Sequence, residues 1–155
     1  MMKILLIAEA SAARPREFYN ANNLLYKTVK QAFGEYFYPF ESDEAFLSFF
    51  TAKGFGLEHL FVKTITKESA SKRAEARKKC IPFLADRIKK EQPEMLIILL
   101  KTNSEEVEAA VKLSGINTIS MIRTTIYPGL GENQRLACIE TLQKLLIEAE
   151  LEGII

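Results

Sequence analysis

MLIILL (residues 95–100) is a run of six apolar residues with no polar position between them. Such a run is typical of a strand buried on both faces, as in a parallel sheet, whereas a half-exposed strand alternates apolar and polar residues. KILLIA (residues 3–8) repeats the pattern after its lysine, close to the start of the chain. Together the two segments predict the centre of a parallel β-sheet.

The segments around these runs complete the prediction of an α/β fold. LEHLFVKTIT (57–66) and INTISMIRTTIY (116–127) are rich in β-branched and aromatic residues, which favours two further strands. Apolar residues at helical spacing predict five helices, over 23–33, 43–51, 71–91, 105–113 and 133–151. Strands that alternate with helices favour a three-layer α/β/α sandwich with a parallel four-stranded sheet. Because no repeat or linker interrupts the pattern, we expect a single domain over residues 1–155.

The helical spacing also predicts which side chains of two helices face the core. In the helix over 23–33 the predicted stripe is Leu24, Leu25, Val29 and Phe33. In the helix over 71–91 it is Ala76, Cys80, Phe83, Leu84 and Ile88.

The composition restricts the classes of function. With 155 residues, 48% hydrophobic and 26% charged, the chain can bury a sizeable core. A net charge of +1 gives no overall attraction to nucleic acid, so such binding would depend on a local basic face. Cys80 and Cys138 are far apart and lie in predicted helices, which favours buried thiols over a disulfide or a metal site. No apolar run approaches the roughly 20 residues that span a bilayer, and the start lacks a signal-peptide pattern, so we expect a cytoplasmic protein without membrane association.

Ligands of such folds bind at the loops that follow the carboxyl ends of the strands. Of the three loops concerned (9–23, 101–104 and 127–133), the first contains EFYNANN (17–23), where aromatic rings stand beside amides. These side chains can stack on a planar base and bind its edge. Alternatively, Asn22 or Asn23 caps the next helix while Phe18 packs against it. Taken alone, the segment favours the helix cap.

Three other polar features allow a structural or a functional interpretation. YPGLGENQR (127–135) can turn backbone amides toward an anion at a helix N-terminus, but Gln134 stands where a dinucleotide fingerprint has its third glycine, so a plain turn is favoured. KESASKRAEARKK (67–79) is either a solvated helix face or a phosphate contact. His59, the only histidine, falls in a predicted strand and is interpreted as a packing or surface residue, which excludes Ser/His/Asp and Cys/His catalysis.

In order and spacing, these segments resemble the uracil-DNA glycosylase superfamily over most of the chain, close to its mismatch-specific uracil/thymine and hypoxanthine branches. AEASA (8–12) and FYNANNLLYKTVKQAFG (18–34) stand where those branches have a Gly-x-Asn-Pro-Gly loop and an aromatic segment running into asparagine. EARKKCIPFLADRIKKEQPEMLIILLKTN (75–103) is similar to their helix and strand that end in Leu-Gly. YPGLGENQR is similar to their last loop, which contains His-Pro-Ser. The resemblance implies a uracil-DNA glycosylase-like fold.

The resemblance also implies a function, the hydrolysis of the N-glycosidic bond of a damaged or deaminated base during base excision repair. Glu9 would position water, and Tyr127 would donate a hydrogen bond to the departing base. The base-binding residues would be Phe18, Tyr19, Asn20 and Asn23. The residues contacting DNA or phosphate would be Gly129, Leu130, Gly131, Gln134 and Arg135, with Leu130 filling the gap left by the flipped base. No cofactor is expected, because two cysteines cannot hold the iron–sulfur cluster that one branch binds through four.

The catalytic motifs depart from the superfamily pattern. Ala10 stands where other branches have a water-activating Asp or Asn, Tyr127 replaces the histidine of the last loop, and LLKTN (99–103) replaces Leu-Gly. The alternative prediction is therefore a non-catalytic member of the fold that binds nucleic acid, a nucleotide or a protein partner. A flavodoxin-like small-molecule binder is a third possibility, which only the general α/β pattern supports.

Overall fold

The computed structural model describes residues 2–10, 19, 23–61, 69–129 and 131–155. The strands are β1 (Ile4–Ala10), β2 (Phe55–Phe61), β3 (Met95–Leu99) and β4 (Met121–Thr125). The α-helices are α1 (Leu24–Tyr36), α2 (Asp43–Ala52), α3 (Ala70–Glu91), α4 (Ser104–Ser114) and α5 (Glu132–Leu151). A short 3₁₀ turn, Lys101–Asn103, leads from β3 into α4. All four predicted strands and all five predicted helices are present, although residues 62–66 of the second predicted strand lie outside the described residues.

The four strands form one parallel sheet in the order β2-β1-β3-β4. The runs KILLIA and MLIILL supply its two central strands, with Ile4 of β1 opposite Met95 of β3. From β1 the chain goes first to β2 on one side and later to β3 and β4 on the other. The order therefore reverses between β1 and β3, and the loops that follow these two strands are neighbours at the carboxyl edge of the sheet. In α/β folds this switch point is the usual position of a ligand.

Helices cover both faces of the sheet, which confirms the predicted three-layer sandwich. Ile4, Leu6 and Ala8 of β1 pack into one core cluster with α1, α2 and α5. The alternate residues Leu5 and Ile7 pack into the other cluster, with α3 and α4. Burial on both faces explains why the central strands are continuous apolar runs.

The predicted core stripes are only partly correct. Leu25 and Leu84 are buried as predicted, but Leu24 is 46% exposed and Phe83 is 68% exposed. Each wrong residue directly precedes a buried leucine, and consecutive residues of an α-helix point about 100° apart. The buried face of each helix includes this leucine and the residue after it, Tyr26 or Ala85, and excludes the residue before it.

Polar side chains cap α1, α2 and α3. Asn23 Oδ1 accepts a hydrogen bond from the Tyr26 amide at 2.8 Å, and Ser42 Oγ accepts one from the Ala45 amide at 3.0 Å. These bonds satisfy amides that have no partner within the helix. Among the described residues, no helix is long and apolar enough to cross a membrane.

Candidate functional site

A cleft of about 500 Å³ opens at the carboxyl ends of β3 and β4. Its walls combine apolar surface with a few hydroxyl, amide and ammonium groups, and its size suits a small planar ligand. The turn after β3, the end of β4, the loop after β4 and α5 supply its lining: Leu100, Lys101, Thr124, Thr125, Ile126, Tyr127, Gly129, Gln134 and Thr141. Three residues predicted from the sequence, Tyr127, Gly129 and Gln134, thus meet in one cleft.

The start of α5 is the predicted anion-binding position. Gly131 precedes the helix with a φ of +120°, and as a glycine it has no side chain to cap the first turn. Amides in the first turn of a helix can bind an anion. The guanidinium of Arg135, however, already has two partners, since Nη1 donates to Glu132 Oε1 at 3.1 Å and Nη2 donates to Gln31 Oε1. A phosphate would have to replace these partners.

Arg135 belongs to a hydrogen-bonded chain that joins α5 to α1. Gln31 also donates from Nε2 to Glu35 Oε1 at 3.0 Å, and Gln143 donates to Glu35 Oε2 at 2.7 Å. The hydrogen bonds from Gln31 and Gln143 lower the pKa of Glu35. The contacts of Arg135 are therefore part of the packing of two helices.

The residues predicted from the segment after β1 lie in different parts of the structure. Glu9 lies on β1 near the carboxyl edge and is partly exposed. The hydroxyl of Tyr19 accepts a hydrogen bond from the Leu57 amide at 3.0 Å, so this ring lies beside β2, the edge strand opposite β4. Asn23 caps α1, as the alternative interpretation of EFYNANN predicts. The structure therefore separates Tyr19 from Tyr127, and Phe18, Asn20 and Leu130 lie outside the described residues.

The basic run at the start of α3 lies on the other face of the sheet from α5. Within it, Arg77 Nε is 3.7 Å from Glu106 Oε1 of α4, and both side chains are largely buried. This ion pair joins α3 to α4. Arg77 is thus committed to helix packing, while Lys72 and Lys78 remain exposed.

Asn103 is a residue that the sequence interpretation missed. It is completely buried, and neither Oδ1 nor Nδ2 has a hydrogen-bond partner among the described residues. Leaving such a group unpaired costs about 1–3 kcal/mol, so each case calls for an explanation such as a ligand or a functional role. An asparagine just before a helix is expected to be an N-cap, but the Asn103 side chain makes no capping hydrogen bond. Because its position before a helix is typical of an N-cap, the sequence alone does not indicate that its side chain is buried without making the capping bond.

Leu100 is the second missed feature. Its φ of +119° is a conformation that side chains rarely adopt. Glycine adopts positive φ without strain, whereas leucine does not. The Leu100 amide donates to the Thr125 carbonyl at 3.1 Å, and its carbonyl accepts from the Asn103 amide at 3.0 Å. One strained turn thus joins the cleft wall to the buried Asn103.

Thiol and metal chemistry gain no support from the described residues. Cys80 and Cys138 are free, and burial raises the pKa of Cys138 to about 11. His59 is buried in β2. The described part of the chain contains no group of three or more His, Cys, Asp or Glu side chains that could hold a metal ion.

No protein-family model matches the sequence, and a search of curated proteins finds no significant match. The interpretation of function therefore rests on the residues at the carboxyl edge of the sheet.

Proposed function

We propose that the chain is a DNA glycosylase-like protein that takes a nucleobase into the cleft at the carboxyl ends of β3 and β4. The observation that most supports the proposal is the buried, unpartnered amide of Asn103, in the turn that lines the cleft. An asparagine amide presents a donor beside an acceptor, which suits the hydrogen-bonding edge of a base.

The shape of the cleft is consistent with this ligand. A base is planar, and its two faces are less polar than its edge, so it fits between an aromatic ring and aliphatic walls. Tyr127 supplies the ring, and Leu100 and Ile126 supply aliphatic surface. Because Asn103 is completely buried, the turn that begins at Leu100 has to move before a base can reach the amide. The backbone strain at Leu100 marks where that movement would occur.

The proposed chemistry is hydrolysis of the bond between the base and its sugar. As that bond breaks, negative charge develops on the base, and a hydrogen bond from the Tyr127 hydroxyl would stabilise it. Water has to attack the sugar, and the carboxylate of Glu9 would orient that water. The resemblance to uracil-DNA glycosylases supports both roles.

An excision assay tests the proposal. Oligonucleotides that carry uracil, hypoxanthine or xanthine, single- or double-stranded, are incubated with the protein and then cleaved at abasic sites with alkali. We expect excision of at least one base, slowed by tenfold or more in Glu9→Gln and in Tyr127→Phe, because each change removes one proposed catalytic group. Phe18→Ala tests the predicted stacking ring in the same assay.

Glu108→Gln is the matched control, since Glu108 is exposed on α4 and outside the cleft. It should excise at the wild-type rate. Lack of excision from every substrate would exclude hydrolysis on this panel. Excision that neither Glu9→Gln nor Tyr127→Phe slows would move the chemistry to other residues.

A second candidate function is binding of a nucleotide without hydrolysis. The partners of Arg135 favour it, because a guanidinium held by Glu132 and Gln31 is poorly placed to grip a DNA backbone. Ala10, at the position of the water-activating residue in other branches, favours it as well. A fluorescently labelled mononucleotide would then bind in an anisotropy titration, while the excision assay shows intact strands.

A further inference from the structure

The ring of Tyr127 lies close to the backbone of Gly129. A Cβ atom built on Gly129 would lie 3.0 Å from Cδ1 and 3.3 Å from Cε1 of Tyr127. Ordinary contacts between carbon atoms are about 3.5–4.0 Å. Any other side chain at this position would therefore crowd the ring.

The usual reason for a glycine in a loop does not apply at this position. Positive φ angles occur at four described glycines, Gly54, Gly115, Gly131 and Gly153, and not at Gly129. The φ of Gly129 is thus accessible to other residues, and among the described residues the Tyr127 ring is what an added Cβ would crowd. Gly131 is the opposite case, because its φ is +120° and an added Cβ would meet no atom of the described residues within 4 Å.

We propose that Gly129 is a positioning residue that holds the Tyr127 ring at the wall of the cleft. Tyr127 lines the cleft and packs against the core beneath it, while the intervening Pro128 is buried and restricts the backbone. A side chain at 129 would push the ring away from the loop by a few tenths of an ångström. For ligand binding, this inference rests on the role of Tyr127 in the proposed function.

The position of the ring can be measured without any ligand. In protein labelled with 3-fluorotyrosine, Tyr127→Phe assigns the ¹⁹F resonance of Tyr127 among the five tyrosines. We expect Gly129→Ala to shift that resonance. Gly34→Ala is the control, because an added Cβ at Gly34 makes only an ordinary contact of 3.7 Å with Phe40, and it should leave the resonance in place. An unchanged resonance in Gly129→Ala would overturn the proposal.

Thermal unfolding supplies a second readout that depends on the ring. Gly129→Ala should lower the Tm of the wild type, because alanine crowds the ring. In the Tyr127→Ala background the same change should leave the Tm unchanged or raise it, since alanine restricts the unfolded chain and no ring opposes it. An equal loss of Tm in both backgrounds would show that Gly129 acts independently of Tyr127.

Ligand binding then connects Gly129 to the proposed function. With a uracil-containing oligonucleotide, Gly129→Ala and Tyr127→Ala should each weaken binding by about tenfold, and the double variant should be no weaker than Tyr127→Ala alone. If the wild type binds none of the oligonucleotides, the proposed function fails. The fluorine resonance and the two Tm comparisons still decide whether Gly129 positions the ring.

Discussion

At the scale of single residues, Asn103 contradicts the rule that buried polar groups find partners. Its backbone amide donates a hydrogen bond to the Leu100 carbonyl, yet both polar atoms of its side chain are shielded from water and have no partner in the part of the chain that the structure describes. A residue that lowers the stability of the free protein can be retained when it contributes to binding. Stability and binding should therefore respond in opposite directions when the amide is removed.

Asn103→Leu tests that opposition. Leucine has the same number and branching of side-chain heavy atoms and no polar atoms, so we expect the free energy of unfolding to rise by about 1–2 kcal/mol in urea denaturation. Binding of a base-containing oligonucleotide should weaken by at least tenfold, because the edge of the base loses its partner. Asn103→Asp is the comparison, and it should be destabilised by a buried charge. A less stable leucine variant would mean that the amide has partners in the free protein.

Leu100 gives a second residue-scale prediction. Leu100→Ala and Leu100→Gly remove nearly the same side chain, and alanine is ordinarily more stable than glycine by about 0.5–1 kcal/mol. At a φ of +119° we expect the reverse, with Leu100→Gly more stable than Leu100→Ala by about 1–2 kcal/mol. Urea denaturation of the two variants measures the difference. The usual order would show that the turn is unstrained in solution.

At the scale of elements, Asn23 distinguishes the two interpretations of the segment between β1 and α1, a helix cap and a base-binding loop. Asn23 Oδ1 caps α1 through the Tyr26 amide. Asn23→Ala should therefore lower the free energy of unfolding by about 1 kcal/mol, whereas Asn23→Asp keeps an oxygen acceptor and should retain wild-type stability. Chemical denaturation of both variants checks this prediction. Equal losses in the two variants would argue against the cap.

The same pair of variants separates capping from base recognition. Aspartate cannot donate the hydrogen bonds that the amide nitrogen of asparagine donates. If Asn23 reads a base as well as capping α1, Asn23→Asp will lose oligonucleotide binding without losing stability. If it acts only as a cap, binding will stay at the wild-type level.

Elements could be predicted from this sequence because local patterns encode them. KILLIA and MLIILL predict strands covered on both faces, and the helical spacing of apolar residues predicts the helices between them. The environment of Asn103 could not be predicted, because its burial arises from tertiary packing and no local pattern records an absent partner. The positive φ of Leu100 could not be predicted either, because a leucine in an apolar run does not indicate this conformation. The candidate site is therefore predictable as a set of loops, while its unusual groups emerge only from the assembled fold.

At the scale of the whole molecule, stability should fall at alkaline pH. Burial raises the pKa of Cys138 from an ordinary value of 9.0 to about 11. Burial and a hydrogen bond to Glu150 raise the pKa of Tyr36 from 10.0 to about 12. Because the folded state disfavours the ionised forms, both contributions are complete below the ordinary pKa and are lost as the pH rises through the folded value. The expected window is therefore pH 9–11 for Cys138 and pH 10–12 for Tyr36.

Cys138→Ala isolates the first of these contributions. The wild type should lose roughly 2–3 kcal/mol from ionisation of Cys138 between pH 9 and 11. The variant starts lower because a core cavity forms, but its free energy of unfolding should fall less steeply in that window. Urea denaturation at half-unit intervals of pH measures both slopes. Parallel curves would show that the thiol does not titrate with unfolding.

The distribution of charge predicts how salt will affect binding of an oligonucleotide. The net charge is +1, and four of the five described arginines are held in ion pairs with glutamates: Arg77, Arg87, Arg123 and Arg135. Paired cations release few counterions from a nucleic acid, so recognition should depend on the base rather than on the backbone.

We expect the logarithm of the association constant to fall with the logarithm of salt concentration with a slope of only about −1 to −2. Fluorescence anisotropy between 50 and roughly 300 mM salt measures the slope. A slope near −5 would show that the ion pairs open on binding and that the backbone supplies most of the affinity.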